Sequence, residues 1–196
     1  MISRRQLLLF PACLSLAGCA ALSVPSGFNP GAVHLPDLQP DFHSPLTYTA
    51  DQLITLTFSP EAVAQGAPAN VPELRAMLIV KGDSLDMALI AMNVPVWRIH
   101  ASPAGIQESR HRLLDTRVQA RPLLRDLAFC LWPEENLRRQ LADIGGEWQL
   151  SVSADQRSLA LGSSRLLEMH RKDSVITLIN HPEGYSLRID SRPSAD

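Results

Sequence analysis

Arg121-Pro122-Leu123-Leu124-Arg125-Asp126-Leu127 opens the stretch that decides the fold, and it runs on through Leu131-Trp132-Pro133-Glu134-Glu135-Asn136-Leu137-Arg138-Arg139. Leu123, Leu124, Leu127, Phe129 and Leu131 recur at helical spacing, and Pro122 sits near the first turn, where its missing N–H costs nothing. Trp132-Pro133 breaks that helix. A second one runs from Pro133 through Leu137 and Leu141 to a stop at Gly145-Gly146. Glu134 and Glu135 fall in its first turn and Arg138-Arg139 follow, which matches the helix dipole.

On both sides the period changes from helical to alternating. Upstream, Leu53 to Phe58 reads as a strand ending at Ser59-Pro60, and residues 60–72 read as a loop rich in Ala and Pro. Leu74 to Lys81, a Gly82-Asp83 turn and Leu85 to Met92 make a hairpin, extended by Val96 to Ala101 and by a strand from Gly105 toward Arg112. Leu85, Met87 and Leu89 oppose Asp86, while Trp97 and Ile99 oppose Arg98 and His100. One face is apolar and the other wet, the mark of antiparallel strands covered on one side. Downstream, Trp148, Leu150 and Val152 alternate with Gln149, Ser151 and Ser153, and short strands follow at 157–161, 165–171, 174–180 and 184–190. Five strands, two helices and five strands describe a mainly β domain whose apolar face is covered by a helical pair.

The N-terminal region has another character. Arg4-Arg5, an apolar run from Leu7 to Leu16, and Leu16-Ala17-Gly18-Cys19 have the layout of a lipoprotein signal ending in a lipobox. Residues 1–18 are expected to be removed, and Cys19 to carry a covalent lipid as the only group added to the chain. Ala20 follows, where an aspartate would favour inner-membrane retention, so the expected location is the outer membrane, facing the periplasm. Residues 19–46, with five prolines, read as a tether that either extends from the bilayer or lies along the domain in its second half. The domain is expected over 47–192, with residues 193–196 as a tail.

Loss of residues 1–18 would leave 178 residues with 16 basic and 20 acidic side chains, a net charge of −4. That balance argues against a nucleic-acid partner. Of three cysteines, only Cys130 is left after Cys13 is removed and Cys19 acylated; its neighbours Phe129, Leu131 and Trp132 read it as a small buried hydrophobe. No enzyme is expected. There is no Gly-x-Ser-x-Gly elbow, Gly162-Ser163-Ser164 reads as a strand turn, and the six histidines show no metal-ligand spacing.

The helical stretch resembles the insert of the outer-membrane lipoprotein receptor LolB. The closing stretch, Leu178-Ile179-Asn180 to Gly184-Tyr185-Ser186-Leu187-Arg188-Ile189, is similar to lipoproteins of unknown function (the domain of unknown function 3261 type) often encoded with aryl-polyene lipid synthesis genes. The LolB resemblance implies a LolA/LolB-like incomplete antiparallel β-barrel wrapped around a helical plug, with a cavity for acyl chains. It also implies a LolA-like periplasmic carrier that hands over lipid or lipoprotein cargo for delivery to the outer membrane, and an apolar hairpin tip. Met92-Asn93-Val94-Pro95-Val96 matches that tip, with Met92 and Val94 as its membrane-facing residues, although LolB's Pro-Leu-Gly turn is not preserved.

A cavity lined by Leu89, Trp97, Ile99, Trp148, Leu150, Val152 and Leu187 would bind a chain at about 0.8 kcal/mol per buried methylene. The same residues at the same spacing also make a dry core. Arg110, Arg112, Arg117, Arg121 and Arg125 cluster around the first helix, suited to a lipid headgroup or an acidic carrier rim, or else to a solvated face. The expected function is lipid or lipidated-cargo binding and delivery at the outer membrane. The alternative is a non-catalytic assembly subunit with a closed barrel that docks partner proteins.

Overall fold

A computed structural model describes residues 34–112 and 119–193. The signal segment, Cys19, the first part of the tether, Arg117 and residues 194–196 lie outside the described residues. The chain forms β1 (Tyr48–Phe58), α1 (Pro60–Ala64), β2 (Leu74–Lys81), β3 (Ser84–Ala91), β4 (Val94–Ser102) and β5 (Gly105–Arg110). Then come α2 (Ala120–Leu131), α3 (Glu134–Ile144), β6 (Trp148–Val152), β7 (Gln156–Leu161), β8 (Ser164–Lys172), β9 (Val175–Asn180) and β10 (Tyr185–Pro193).

The strands make one antiparallel sheet in the order β5-β4-β3-β2-β1-β10-β9-β8-β7-β6. The first and last strands therefore meet at its centre, Ile54 opposite Ile189 and Leu56 opposite Leu187. The sheet is open, with β5 and β6 as its edges. Since α2 and α3 connect one edge to the other, they must cross a face of the sheet. The alternation selects which face: Leu85, Met87 and Leu89 of β3, with Trp97 and Ile99 of β4, are buried with Leu124, Leu127, Phe129, Leu137 and Leu141 of the helices. Register shifts at Leu89/Ile90 and Leu159/Ala160 interrupt the ladders, as β-bulges do where a sheet bends.

One expectation is corrected. Residues 60–72 are not all loop, because α1 forms there and raises the helices among the described residues to three. Its signal is Ser59-Pro60-Glu61: the Ser59 hydroxyl accepts from the Ala62 N–H at 3.2 Å, proline occupies the first turn, and an acid follows. Five residues are too few to show a helical period. Ala62 packs with Phe58 and Ala67 in a small core of its own.

Residues 34–47 cross the helices mainly as coil. Leu38 is fully buried, and Gln39 and Gln140 exchange hydrogen bonds at 2.8 Å in both directions. The Trp132 indole donates to the Asp41 carbonyl at 3.0 Å, while the Asp41 carboxylate accepts from Asn136 and Arg139. The Trp-Pro break between the helices is thus where this segment is fastened.

Candidate functional site

Between α2 and the sheet lies an apolar cavity of about 120 Å3. Leu123, Leu127 and Cys130 bring three successive turns of α2 to it, and Ile54, Leu56, Leu74, Met87, Leu178 and Ile189 bring β1, β2, β3, β9 and β10. Leu89, Trp97 and Leu187 of the expected lining are there. Ile99 is buried in the same core but outside the lining. Trp148, Leu150 and Val152 are not brought to it: they lie on the edge strand β6, where the Trp148 indole donates to the Gly145 carbonyl at 2.7 Å. The Gly145-Gly146 helix stop drew that ring onto the end of α3, and alternation along a strand does not reveal such a contact.

The charged residue in the cavity wall is Asp126. It is 3 % exposed and belongs to a network built from the stretches that carried the family resemblance. Arg125 donates from Nε to Asp126 Oδ1 at 2.9 Å and forks onto Glu183 with bonds of 2.8 and 2.9 Å. The Tyr185 hydroxyl donates to Asp126 Oδ2 and accepts from Arg125 at 3.3 Å. Asn180 closes the set, donating to Glu183 Oε2 at 3.1 Å and accepting from the Glu183 N–H at 3.0 Å. Arg125 is buried, so it does not belong to a solvated arginine face.

Burial pushes the Asp126 carboxyl up to about 6, helped by the Glu183 charge and opposed by Arg125 and the Tyr185 hydrogen bond. Burial works against the Arg125 cation too, but the Glu183 hydrogen bonds and the Asp126 charge outweigh it and raise its pKa. The Tyr185 hydroxyl is raised by burial and by the same two carboxylates. Burial also pushes the Cys130 thiol up to about 12, which leaves it inert as a nucleophile.

The other end of α2 is held by arginines of the sheet. Arg157 donates to the Phe129 and Trp132 carbonyls at 2.8 and 2.6 Å, and Arg171 to the Cys130 carbonyl at 3.3 Å. These are carbonyls that the helix end leaves without an amide partner, and cations there complement the dipole.

The β3–β4 hairpin turns on Met92 and Asn93, whose φ values of 49° and 63° put both in the left-handed region. With Ala91 opposite Val94, this is a two-residue turn of the type that favours Asn-Gly. Met92 takes the strained position and is 75 % exposed, with Val94 exposed beside it. Ser163 lies in the β7–β8 turn, and among the described residues no group of His, Cys, Asp or Glu side chains is placed to hold a metal ion.

A family model described as a protein of unknown function, DUF3261, matches residues 49–193. The chain belongs to that family. Its matched region spans β1 to β10, and so takes in the whole sheet, all three helices and the cavity between them. No curated protein matches the chain.

Proposed function

We propose that this DUF3261 protein is a LolB-like outer-membrane lipoprotein that takes the acyl chain of a lipid or lipidated cargo under α2 and assists its delivery to the membrane. The observation that carries this reading is the cavity itself. An empty volume of about 120 Å3 forgoes roughly 3 kcal/mol of packing, at about 24 cal/mol per Å3. Its walls present apolar side chains from seven elements, with one carboxylate whose oxygens are engaged by Arg125 and Tyr185. It is comparable to the roughly 150 Å3 cavity that binds benzene, so a long chain needs α2 to move outward. In this reading the open sheet is an incomplete barrel and α2–α3 its plug.

The remaining parts fit the same task. The lipid on Cys19 holds the domain at the periplasmic face of the outer membrane. The fourteen residues 20–33 span at most about 50 Å, which keeps the cavity near the bilayer. The Met92–Val94 tip enters the headgroup region, and its backbone strain of about 1–2 kcal/mol is tolerated because it displays an apolar side chain. A LolA-like periplasmic carrier supplies the cargo. No catalytic step is involved.

The test uses the full-length lipidated protein in phosphatidylcholine nanodiscs and palmitate brominated along its chain. Trp97 forms part of the cavity wall, so a chain in the cavity quenches tryptophan emission in a saturable way. Quenching that never saturates would instead match the alternative of a non-catalytic assembly subunit that docks partner proteins, without the closed barrel first expected for it, since the sheet is open.

A further inference from the structure

Side chains two apart along a strand lie about 7 Å apart on one face, and the register sets them in rows across the sheet. Leu56, Leu187 and Leu178 form one row, and Ile54, Ile189 and Ile176 form the next. All of these except Ile176 line the cavity. The following row is polar: Gln52 opposite Ser191. Gln52 is 2 % exposed, and its Nε2 donates to Ser191 Oγ at 3.2 Å and to the Tyr48 hydroxyl at 3.4 Å. Its Oε1 is buried and finds no donor among the described residues. Tyr48 and Ser191 in turn border an open recess of about 340 Å3 past the end of α2, with Leu131, Ile176, Arg171 and Asp173 around it.

An apolar cavity, a polar row short of one donor, and an open recess therefore follow one another along β1 and β10. A buried amide oxygen without a donor is disfavoured, and a bound molecule that supplies the donor removes the penalty. Resting on the chain-binding reading above, we infer that Gln52 reads the linkage of a single-chain amphiphile whose acyl chain is joined to its head by an amide. The chain lies in the cavity, the amide N–H donates to Gln52 Oε1, and the polar head occupies the recess beside Arg171. An ester-linked analogue has the same shape and no N–H, so it leaves the oxygen unpaired. Sites built to hydrogen-bond a ligand group reject analogues that lack it.

The full-length protein in phosphatidylcholine nanodiscs is titrated with two probes brominated in the chain: N-palmitoylglycine and its ester counterpart, palmitoyl glycolate. Tryptophan quenching is the readout. The amide is expected to half-saturate at about one tenth of the ester's concentration. In Gln52→Leu the gap between the two closes. Equal half-saturation in the unaltered protein, a comparison that needs no variant, overturns the linkage assignment and leaves chain binding standing. A tenfold gap that survives Gln52→Leu overturns the assignment to Gln52. Absence of saturable quenching by either probe overturns the chain-binding reading itself.

Discussion

The cavity under α2 has a polar cluster at each end, and the two are built on opposite plans. Along the inward side of β10 the residues run Tyr185, Leu187, Ile189, Ser191: polar, apolar, apolar, polar. At the Tyr185 end, a guanidinium, two carboxylates, a phenol and an amide satisfy one another. At the Ser191 end, two hydroxyls and one amide leave a buried oxygen short of a donor. A saturated buried network fixes an arrangement, and a short one has room for a further partner. The first is read here as the part that seats α2, and the second as the part that receives.

Removing a charge from the saturated end should have the largest effect. Arg125→Met leaves the buried Asp126 and the partly exposed Glu183 without their cation and is expected to cost about 3–5 kcal/mol in urea unfolding. Filling the cavity between the ends should act the other way on stability and abolish uptake. Leu89→Phe with Leu187→Phe occupies part of the void, gaining about 1 kcal/mol, or roughly 2–4 °C in Tm. The same variant should lose at least tenfold in saturable quenching by brominated palmitate, while a quenching curve like that of the unaltered protein would mean the chain lies elsewhere.

The saturated end also carries a pH signature. Folding raises the Asp126 pKa from 3.8 to about 6, so its contribution to stability is full below about pH 4 and is lost as pH rises through 6. Glu168, held low chiefly by His181, acts in the opposite sense, its contribution being lost as pH falls. Asp126→Asn should remove the first component. Its stability relative to the unaltered protein then improves between pH 4 and 6, as denaturant midpoints across that range would reveal. The smallest effect belongs to the receiving end. Gln52→Leu deletes an unpaired acceptor and two long hydrogen bonds while Tyr48 still donates to Ser191, so stability should shift by less than about 1 kcal/mol. A loss like that of Arg125→Met would erase the distinction between the two ends.

Much of the architecture was legible in the sequence because its elements announce themselves locally. Alternation located the strands, β2 to the residue, and the Leu123–Leu127 spacing with Trp132-Pro133 located both long helices. The pairing of the first strand with the last was not legible, because it depends on which edges the other strands leave open. The cavity was half legible. Leu89, Trp97 and Leu187 face it by simple alternation, but Trp148, Leu150 and Val152 share that alternation and lie at the far edge. Periodicity gives a face, and only topology gives a position along it. Asp126 and Arg125 hid for a related reason: adjacent charges on a helix read as solvated until the β9–β10 turn brings Glu183 and Tyr185 over them.

The central claim is that an acyl chain lies between α2 and the sheet. Its most direct test is photocrosslinking of the full-length protein in nanodiscs with palmitate carrying a diazirine near the end of its chain, followed by peptide mapping. The account predicts adducts on α2 at Leu123 or Leu127 and on the facing strands at Leu89, Trp97 or Leu178. Adducts confined to the Met92 tip or to the outer face of the sheet would contradict it.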